Sequence, residues 1–328
     1  MPTAAGHNVR VSYLWEEDGD GNPDFATEST EDTDHKPFGS DASLTTADGS
    51  NQAVRVFDPN SREAREVIEQ MFSGSWGVEF TLTNPWWLRG LLHFDPDSTG
   101  SSAPYTHSWT GDVPFPMQLV IGNETTGNER ILRGAVIVSG TISVGVGGMV
   151  TVSLEGAYAD EDLNEGVSLT EQPAINERPM TFAQATLQRD GTTLSLIQNA
   201  QLSIENNTDL IPELGNRTAV AYSPKVRSIT ISYTDIVEDD DDIQRMYGSA
   251  TATSPQTTVE NEEDAAFVFD NGKTGDEQNT LRLDLDGLFP DGYSRTGQGD
   301  PEADLEGTLS EIPATITAQA ENSTAEAR

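Results

Sequence analysis

Hydrophobic positions recur along this chain mostly at a period of two. Trp76, Val78, Phe80 and Leu82 alternate with Gly77, Glu79 and Thr81, which places the four apolar side chains on one face of a strand. The same alternation predicts a first strand over Asn8–Trp15, another over Met117–Ile121, and two or three across Arg130–Leu154, where Gly145, Gly147 and Gly148 mark a turn. Farther on, Leu194–Ile204, Lys225–Thr234, Ala265–Asp270, Leu281–Leu288 and Ala314–Ala320 are all of strand type. Helical spacing is rare. Val67, Ile68, Met71 and Phe72 follow the candidate caps Asn60 and Ser61 and predict a short helix. Asn84-Pro85 opens a short apolar helix or turn through Leu92, and Val237–Tyr247 begins with an Asp-rich turn suited to the positive end of a helix dipole. Glu16–Asp58 and Pro96–Pro116 hold neither period and are expected to be loops. The predicted class is mainly β with one or two short helices.

The halves of the chain resemble each other. Trp76–Asn84 lines up with Arg227–Asp235 at a shift of 151 residues (227 − 76), and a short helix-like segment follows each copy. Val150–Ser153 and Thr315–Ala318 form a second alternating match. Asp160–Pro179, polar and proline-containing, is the candidate linker. The expected organisation is an N-terminal strand and acidic arm (1–59), a first β unit (60–165), a linker (166–179) and a second β unit (180–328). In the matched strands Val78, Phe80 and Leu82, and likewise Ile229, Ile231 and Tyr233, are expected to face a core.

Composition narrows the function. The chain of 328 residues carries 55 Asp and Glu against 18 Lys and Arg, a net charge of −37. Neutralising phosphates requires clustered cations, so a nucleic-acid clamp is excluded, and an anionic membrane surface is disfavoured. No apolar run approaches the ~20 residues of a membrane helix, and Met1–Arg10 has no apolar signal core. The expectation is a soluble protein made inside the cell. Absence of cysteine excludes disulfides, thiol catalysis and Cys-ligated zinc. The acids are dispersed rather than gathered in a tail, and only Lys36, Lys225 and Lys273 are lysines. Self-repulsion of that magnitude strains a compact fold unless salt screens it. The pattern is similar to proteins of extreme halophiles.

Candidate chemistry is sparse. His7, His35, His93 and His107 share no metal-ligand spacing and are expected in loops or at the surface. Asp18–Asp24 resembles the start of a calcium loop, but Pro23 stands where such loops need glycine and Ser29 where they need glutamate, which favours an acidic turn. Asp239–Asp242 reads as a solvated helix N-terminus, since four consecutive side chains cannot converge on one ion. Trp86-Trp87 is expected to anchor its turn in the core or a subunit contact rather than to stack on sugars. The sequons at Asn123, Asn206, Asn216 and Asn322 matter only in an exported protein. No catalytic set, cofactor site or metal site emerges.

A family resemblance rests on the order of features in the second half. Leu202-Ser203-Ile204-Glu205-Asn206-Asn207 precedes Leu214-Gly215-Asn216-Arg217, then the strand Ser228–Thr234, Asp235, and an acidic segment ending at Tyr247-Gly248. This order is similar to the tail tube proteins of long-tailed viruses. Gly74-Ser75-Trp76 with its strand to Trp87, and Arg133-Gly134 with the strands through Gly156, fit the same pattern in the first half. The resemblance implies a β-sandwich or barrel, a long hairpin and a helix, and assembly into stacked rings that form the tail tube of a virus of a halophilic archaeon. It implies no enzyme activity. Implied partners are other copies of the chain (a trimer of pseudo-sixfold symmetry, with a hexamer as alternative), other tail proteins, and viral DNA that passes without tight binding. The long hairpin is expected between about Arg130 and Glu155, with Ile137, Thr141, Ile142, Val144, Val152 and Glu155 at the lumen or subunit interface, and a counterpart between Leu281 and Ala320. The rivals are a surface or secreted β-sandwich adhesion or carbohydrate-binding module of a halophile, using Trp86, Trp87 or Trp109, and a capsid-decorating or tail-terminator protein.

The acidity makes a direct prediction. Circular dichroism should show loss of structure or assembly below about 1 M KCl, whereas an unchanged spectrum and melting point from about 0.1 to about 3 M would contradict a salt-screened fold.

Overall fold

The computed structural model describes residues 9–27, 35–59, 62–92, 97–111, 113–123, 128–165, 178–249, 251–258, 263–297 and 304–325. In chain order its strands begin with β1 (Val9–Trp15), β2 (Ser40–Phe57), β3 (Ala64–Thr81), β4 (Asp97–Thr99), β5 (Tyr105–Trp109) and β6 (Met117–Asn123). There follow β7 (Asn128–Gly145), β8 (Thr151–Tyr158), β9 (Asp160–Glu165), β10 (Ala185–Arg189), β11 (Thr192–Thr193) and β12 (Ile197–Glu205). The remainder are β13 (Asp209–Pro212), β14 (Ala219–Ser223), β15 (Ser228–Ile236), β16 (Ala265–Asp270), β17 (Thr280–Asp286), β18 (Phe289–Thr296), β19 (Glu306–Ile312) and β20 (Thr315–Asn322). Two short helices, α1 (Leu88–Leu91) and α2 (Asp241–Met246), complete the fold. The mainly β class expected from the alternation is what the chain adopts.

Two large sheets pack face to face. The first runs in the order β18-β19-β15-β12-β7-β8-β3-β2, with β1, β6 and β9 joined around the N-terminal part of β7. The second runs β11-β10-β16-β17-β20-β5-β4, and β13-β14 stands apart as a hairpin. Every pairing along the first path is antiparallel. Period-two alternation sends Val78, Phe80, Leu82, Ile142, Val152, Leu202, Ile229, Ile231 and Tyr233 into one core with Phe267, Phe269, Leu281, Leu283 and Leu285 of the second sheet.

Several expectations fail locally. Ser40–Phe57, expected to be a loop, is a strand paired with Ala64–Thr81, so Val67, Ile68, Met71 and Phe72 lie in a strand and not in a helix. Val54 pairs with Ile68 and Arg55 with Val67, so cross-strand hydrogen bonds outweigh a helical spacing only two turns long. The caps Asn60 and Ser61 lie outside the described residues. Pro96–Pro116 contains β4 and β5, the latter paired with β20. The linker expectation is half displaced: Asp160–Glu165 pairs with β7, while 166–177 lies outside the described residues. The strands β10, β11, β13, β14, β18 and β19 were not legible from alternation.

Two local devices shape the first sheet. At Gly74 an added Cβ would fall inside the Tyr158 ring, so only glycine lets β3 and β8 meet there. At Gly134 (φ 61) β7 leaves β6 and β9 and turns onto β8 and β12. Glu16, fully buried, fixes that bend: Oε1 accepts from the Gly134 N–H at 2.7 Å and Oε2 from the Ala26 N–H at 2.9 Å. Burial pushes its carboxyl up to about 8, opposed by those two N–H groups and by Arg133.

Two outcomes follow. Phe80, 2% exposed, should cost about 3–5 kcal/mol when replaced by Ala, read by denaturant unfolding in high salt. Because the folded form of Glu16 holds its proton to higher pH than the unfolded chain, its contribution is complete below about 4.5 and is lost as pH rises toward about 8. Melting temperatures across that window should fall for the native chain, and Glu16→Gln should flatten the slope.

Candidate functional site

The face of the first sheet turned away from the core is built almost wholly from small hydroxyl side chains, amides and glutamates. Directly opposed residues in antiparallel strands share a face, so the registers can be read as rows across the sheet. One row is Glu79, Ser153, Thr141, Ser203 and Thr230. The next is Glu155, Ser139, Glu205 and Ser228. On the other side lies Thr81, Thr151, Ser143, Gln201, Ser232, Ser310 and Gly292, then Asn199, Thr234, Thr308 and Ser294.

Neighbouring hydroxyls bond to each other and lie flat. Ser143 Oγ and Thr151 Oγ1 are 2.8 Å apart, Thr234 Oγ1 and Thr308 Oγ1 2.9 Å, and the Gln201 side-chain amide donates to Ser203 Oγ at 3.2 Å. Glu79, Glu155 and Glu205 are exposed, and none of these positions holds lysine or arginine. A polyanion near this face meets carboxylates and no cation, so it is repelled rather than held.

The structure separates the residues expected along the Arg130–Glu155 hairpin. Ile137, Ile142 and Val152 point into the core and Val144 packs against it; only Thr141 and Glu155 lie on the polar side of the sheet. The hairpin is also not an edge. β7 pairs with β8 and β12, and β8 with β7 and β3, so the chain covers both strands itself. The expected counterpart between Leu281 and Ala320 is divided: β17 and β20 pair in the second sheet, whereas β18 and β19 lie in the first. Among the described residues β1, β9, β11 and β4 each pair with a single strand, and the long path of the first sheet ends at β2 and β18. Both are irregular. β18 has Pro290 at a bulge, and β2 has bulges at 40/43 and 44/46 with Asp41 at φ 54. Such features hinder indiscriminate pairing of a free edge.

The junction in mid-sheet is locked by side chains that alternation could not reveal. Asn206, buried just past β12, donates through Nδ2 to the Leu91 carbonyl at 2.8 Å and accepts from Arg227 Nε at 2.9 Å. Arg227 Nη2 reaches the Leu92 carbonyl at 3.0 Å. Together they satisfy carbonyls at the end of α1, which has no intrahelical donors for them. A second network ties α2 to both sheets. Glu311, 1% exposed, accepts from Arg189 at 2.7 Å and Arg245 at 2.9 Å, and Arg245 also pairs with Glu263. The Tyr233 hydroxyl donates to Asp242 at 3.1 Å and accepts from Arg189 at 2.8 Å. Burial pushes both Tyr233 and Asp242 upward. Asp242 is therefore part of an ion network and not a solvated helix end. Its partners lie far apart in sequence, so no local motif announces them.

The remaining candidates resolve as structure. His107 is buried, not superficial: Nδ1 lies 2.8 Å from Ser98 Oγ and Nε2 3.0 Å from the Thr324 carbonyl. His7 and His93 lie outside the described residues. Trp86, Trp87 and Trp109 are 8, 0 and 1% exposed, so none offers a face to a sugar. Asp18 Oδ1 accepts from the Asp20 and Asn22 N–H groups at 2.9 and 2.8 Å, an acidic turn closed on itself. Among the described residues no group of three or more His, Asp or Glu is placed to hold a metal ion, and no helix is long and apolar enough to cross a membrane.

A family model described as phage tail tube protein matches residues 6–320. No curated protein matches the sequence.

Proposed function

The chain belongs to the phage tail tube protein family, and from that membership we propose that it is the repeating subunit of a ring-built tube through which a viral genome passes. One observation carries the ring. The path β2-β3-β8-β7 is followed by β12-β15-β19-β18, two four-stranded units joined head to tail through β7 and β12. Within each unit a hairpin-like pair leads to a strand of the matched sequence, β3 or β15, and a helix packs on the last strand: α1 on β7, α2 on β18. This order supports an internal duplication in which β2 belongs with the first unit. The β7·β12 junction is then a template, and β18 of one chain meets β2 of the next in the same way.

Strand polarity agrees. Eight alternating antiparallel strands leave β18 and a following β2 antiparallel, so the ring closes without a break in pattern. Three chains give 24 strands, which at ~4.8 Å each make a barrel about 37 Å across between backbones before strand tilt widens it. Six chains would give 48 strands and about twice that width, far more than a duplex needs. The trimer of pseudo-sixfold symmetry is thus favoured over the hexamer.

The polar face serves as the lumen wall. Glu79, Glu155 and Glu205 repel phosphates, and the mutually bonded hydroxyls leave few groups seeking a new partner. DNA can slide because nothing grips it. Stacked rings continue the wall, and the tail's other proteins bind its ends. The dispersed charge fits a virion exposed to molar salt, as in a virus of a halophilic archaeon, with the subunit synthesised in the host cytoplasm.

Registers name the closing contact. Ser143 lies opposite Thr151 and Thr151 opposite Thr81. A shift of 151 residues carries Thr81 to Ser232, whose row continues to Ser310 and Gly292. Gln201, the partner of Ser143, likewise corresponds to Ser40 of β2. Gly292 of one chain should therefore face Ser40 of the next. An added Cβ at Gly292 meets nothing closer than Ser310 at 4.0 Å, so substitution there is tolerated. In a chain without cysteine, Gly292→Cys with Ser40→Cys should give disulfide-linked trimers in assembled protein, and each single variant none. Assembled rings with no linkage would contradict the proposed junction, and linkage into closed hexamers would contradict the trimer.

A further inference from the structure

A cleft of about 630 Å³ opens between the β16–β17 connection, the residues that follow β20, and the turn from β3 into α1. Its size lies within the ~300–1,000 Å³ of small-molecule sites. In a chain with 55 acids and 18 bases its charged lining is balanced, Arg178 and Lys273 against Asp276 and Glu277. Lys273 pairs with Glu277 at 3.1 Å, whereas among the described residues Arg178 and Asp276, both exposed, are in no ion pair. A Cβ added at Gly272 would stand 3.5 Å from Arg178 Nη1, so the guanidinium lies against the connection that carries Asp276.

The walls hold these groups in place and leave two more without a partner. Asn271 Oδ1 accepts from the Lys273 and Asn279 N–H groups at 3.1 and 3.2 Å, and its Nδ2 donates to the Glu277 carbonyl at 2.9 Å, which closes the connection on itself. Gln278 Nε2 ties it to Glu321 Oε2 at 2.9 Å. Asn279, 5% exposed, donates to the Thr83 carbonyl, but among the described residues its Oδ1 accepts from nothing. Asn322, 7% exposed, accepts from the Thr324 N–H at 2.8 Å, but its Nδ2 donates to nothing. Buried polar groups are nearly always paired, and an orphaned acceptor and donor in the walls of one cleft call for a molecule that offers both.

We propose that this cleft binds a short peptide with free termini, its carboxylate on Arg178, its ammonium on Asp276 and an amide on Asn279 and Asn322. The assignment follows from complementarity. A guanidinium takes a carboxylate through paired N–H donors, and each peptide unit carries one donor and one acceptor for the two orphaned amide atoms. Other ligand classes use less of the site. A simple anion would meet the carboxylates of Asp276 and Glu277. A neutral sugar would leave Arg178 and Asp276 unused and would find no stacking face, because Trp86 is 8% exposed and packs edge-on with His107 at 5.0 Å. A metal ion lacks a group of three acidic or histidine ligands among the described residues. The site is independent of the ring reading, since no residue lining it belongs to β2, to β18 or to the polar rows of the first sheet.

Calorimetric titration of the full chain with triglycine in molar KCl tests the site. Saturable binding at one site per chain is expected. N-acetyltriglycine and triglycinamide, which each lack one terminal charge, should bind about tenfold more weakly. The variants then separate the two ends of the ligand. Arg178→Gln should bind triglycine and triglycinamide alike, and Asp276→Asn should bind triglycine and N-acetyltriglycine alike. Both positions are exposed, so each variant should keep the native circular dichroism spectrum. No saturable binding of triglycine to the native chain would overturn the proposal. So would equal affinity for the blocked peptides, the native preference retained in either variant, or binding of maltose in place of triglycine.

Discussion

An antiparallel sheet has to pair the backbone donors and acceptors along its two outer strands, and a barrel is the only arrangement that leaves none over. That constraint organises this protein. Seven of the eleven strands of the first sheet have a strand on each side among the described residues, yet the long path ends bluntly at β2 and β18. The internal junction shows that this sequence already knows one way to join such edges: a seven-residue ladder from Asn199–Glu205 to Ser139–Gly145, reinforced by Asn206 and Arg227 on the end of α1. Repeating the junction between chains uses geometry the fold has proved possible. The bulges and Pro290 at the open edges then act as a filter against partners of the wrong shape.

Charge and hydrogen bonding divide the labour between the two sides of the sheet. Inside, the alternation buries Val78, Phe80, Ile142, Leu202 and Ile231, and the buried Glu311 is held by two arginines. Leaving such a carboxylate unpaired in the core would be strongly destabilising, so Arg189 and Arg245 are required by Glu311 more than they add stability of their own. Outside, hydroxyls bond across strands and three glutamates face solvent. The same β periodicity thus yields a core on one side of the sheet and a polar, acidic face on the other.

Much of this was legible in the sequence, and the failures are instructive. Strong alternation located β3, β8, β12 and β15, and Trp86-Trp87 read correctly as an internal anchor. The β2–β3 hairpin did not read as one, because Val67, Ile68, Met71 and Phe72 mimic a helical stripe and the β2 partners of Val67 and Phe72 are the polar Arg55 and Asn51. Which edges stay open was equally hidden. The Arg130–Glu155 hairpin looks unprotected in sequence because it is protected by pairing, whereas β2 and β18 carry the irregularities of true edges. Contacts such as Asn206 to Leu91, or Arg189 to Glu311, join residues more than a hundred positions apart and leave no local pattern.

Electron cryomicroscopy of the protein assembled in molar KCl tests the central claim most directly, by counting the strands around the inner wall. The account requires three chains and 24 strands per ring, β18 of each chain hydrogen-bonded to β2 of the next, and Glu79, Glu155 and Glu205 turned toward the lumen. Six chains per ring, β2 and β18 left unpaired, or those glutamates on the outer surface would contradict it.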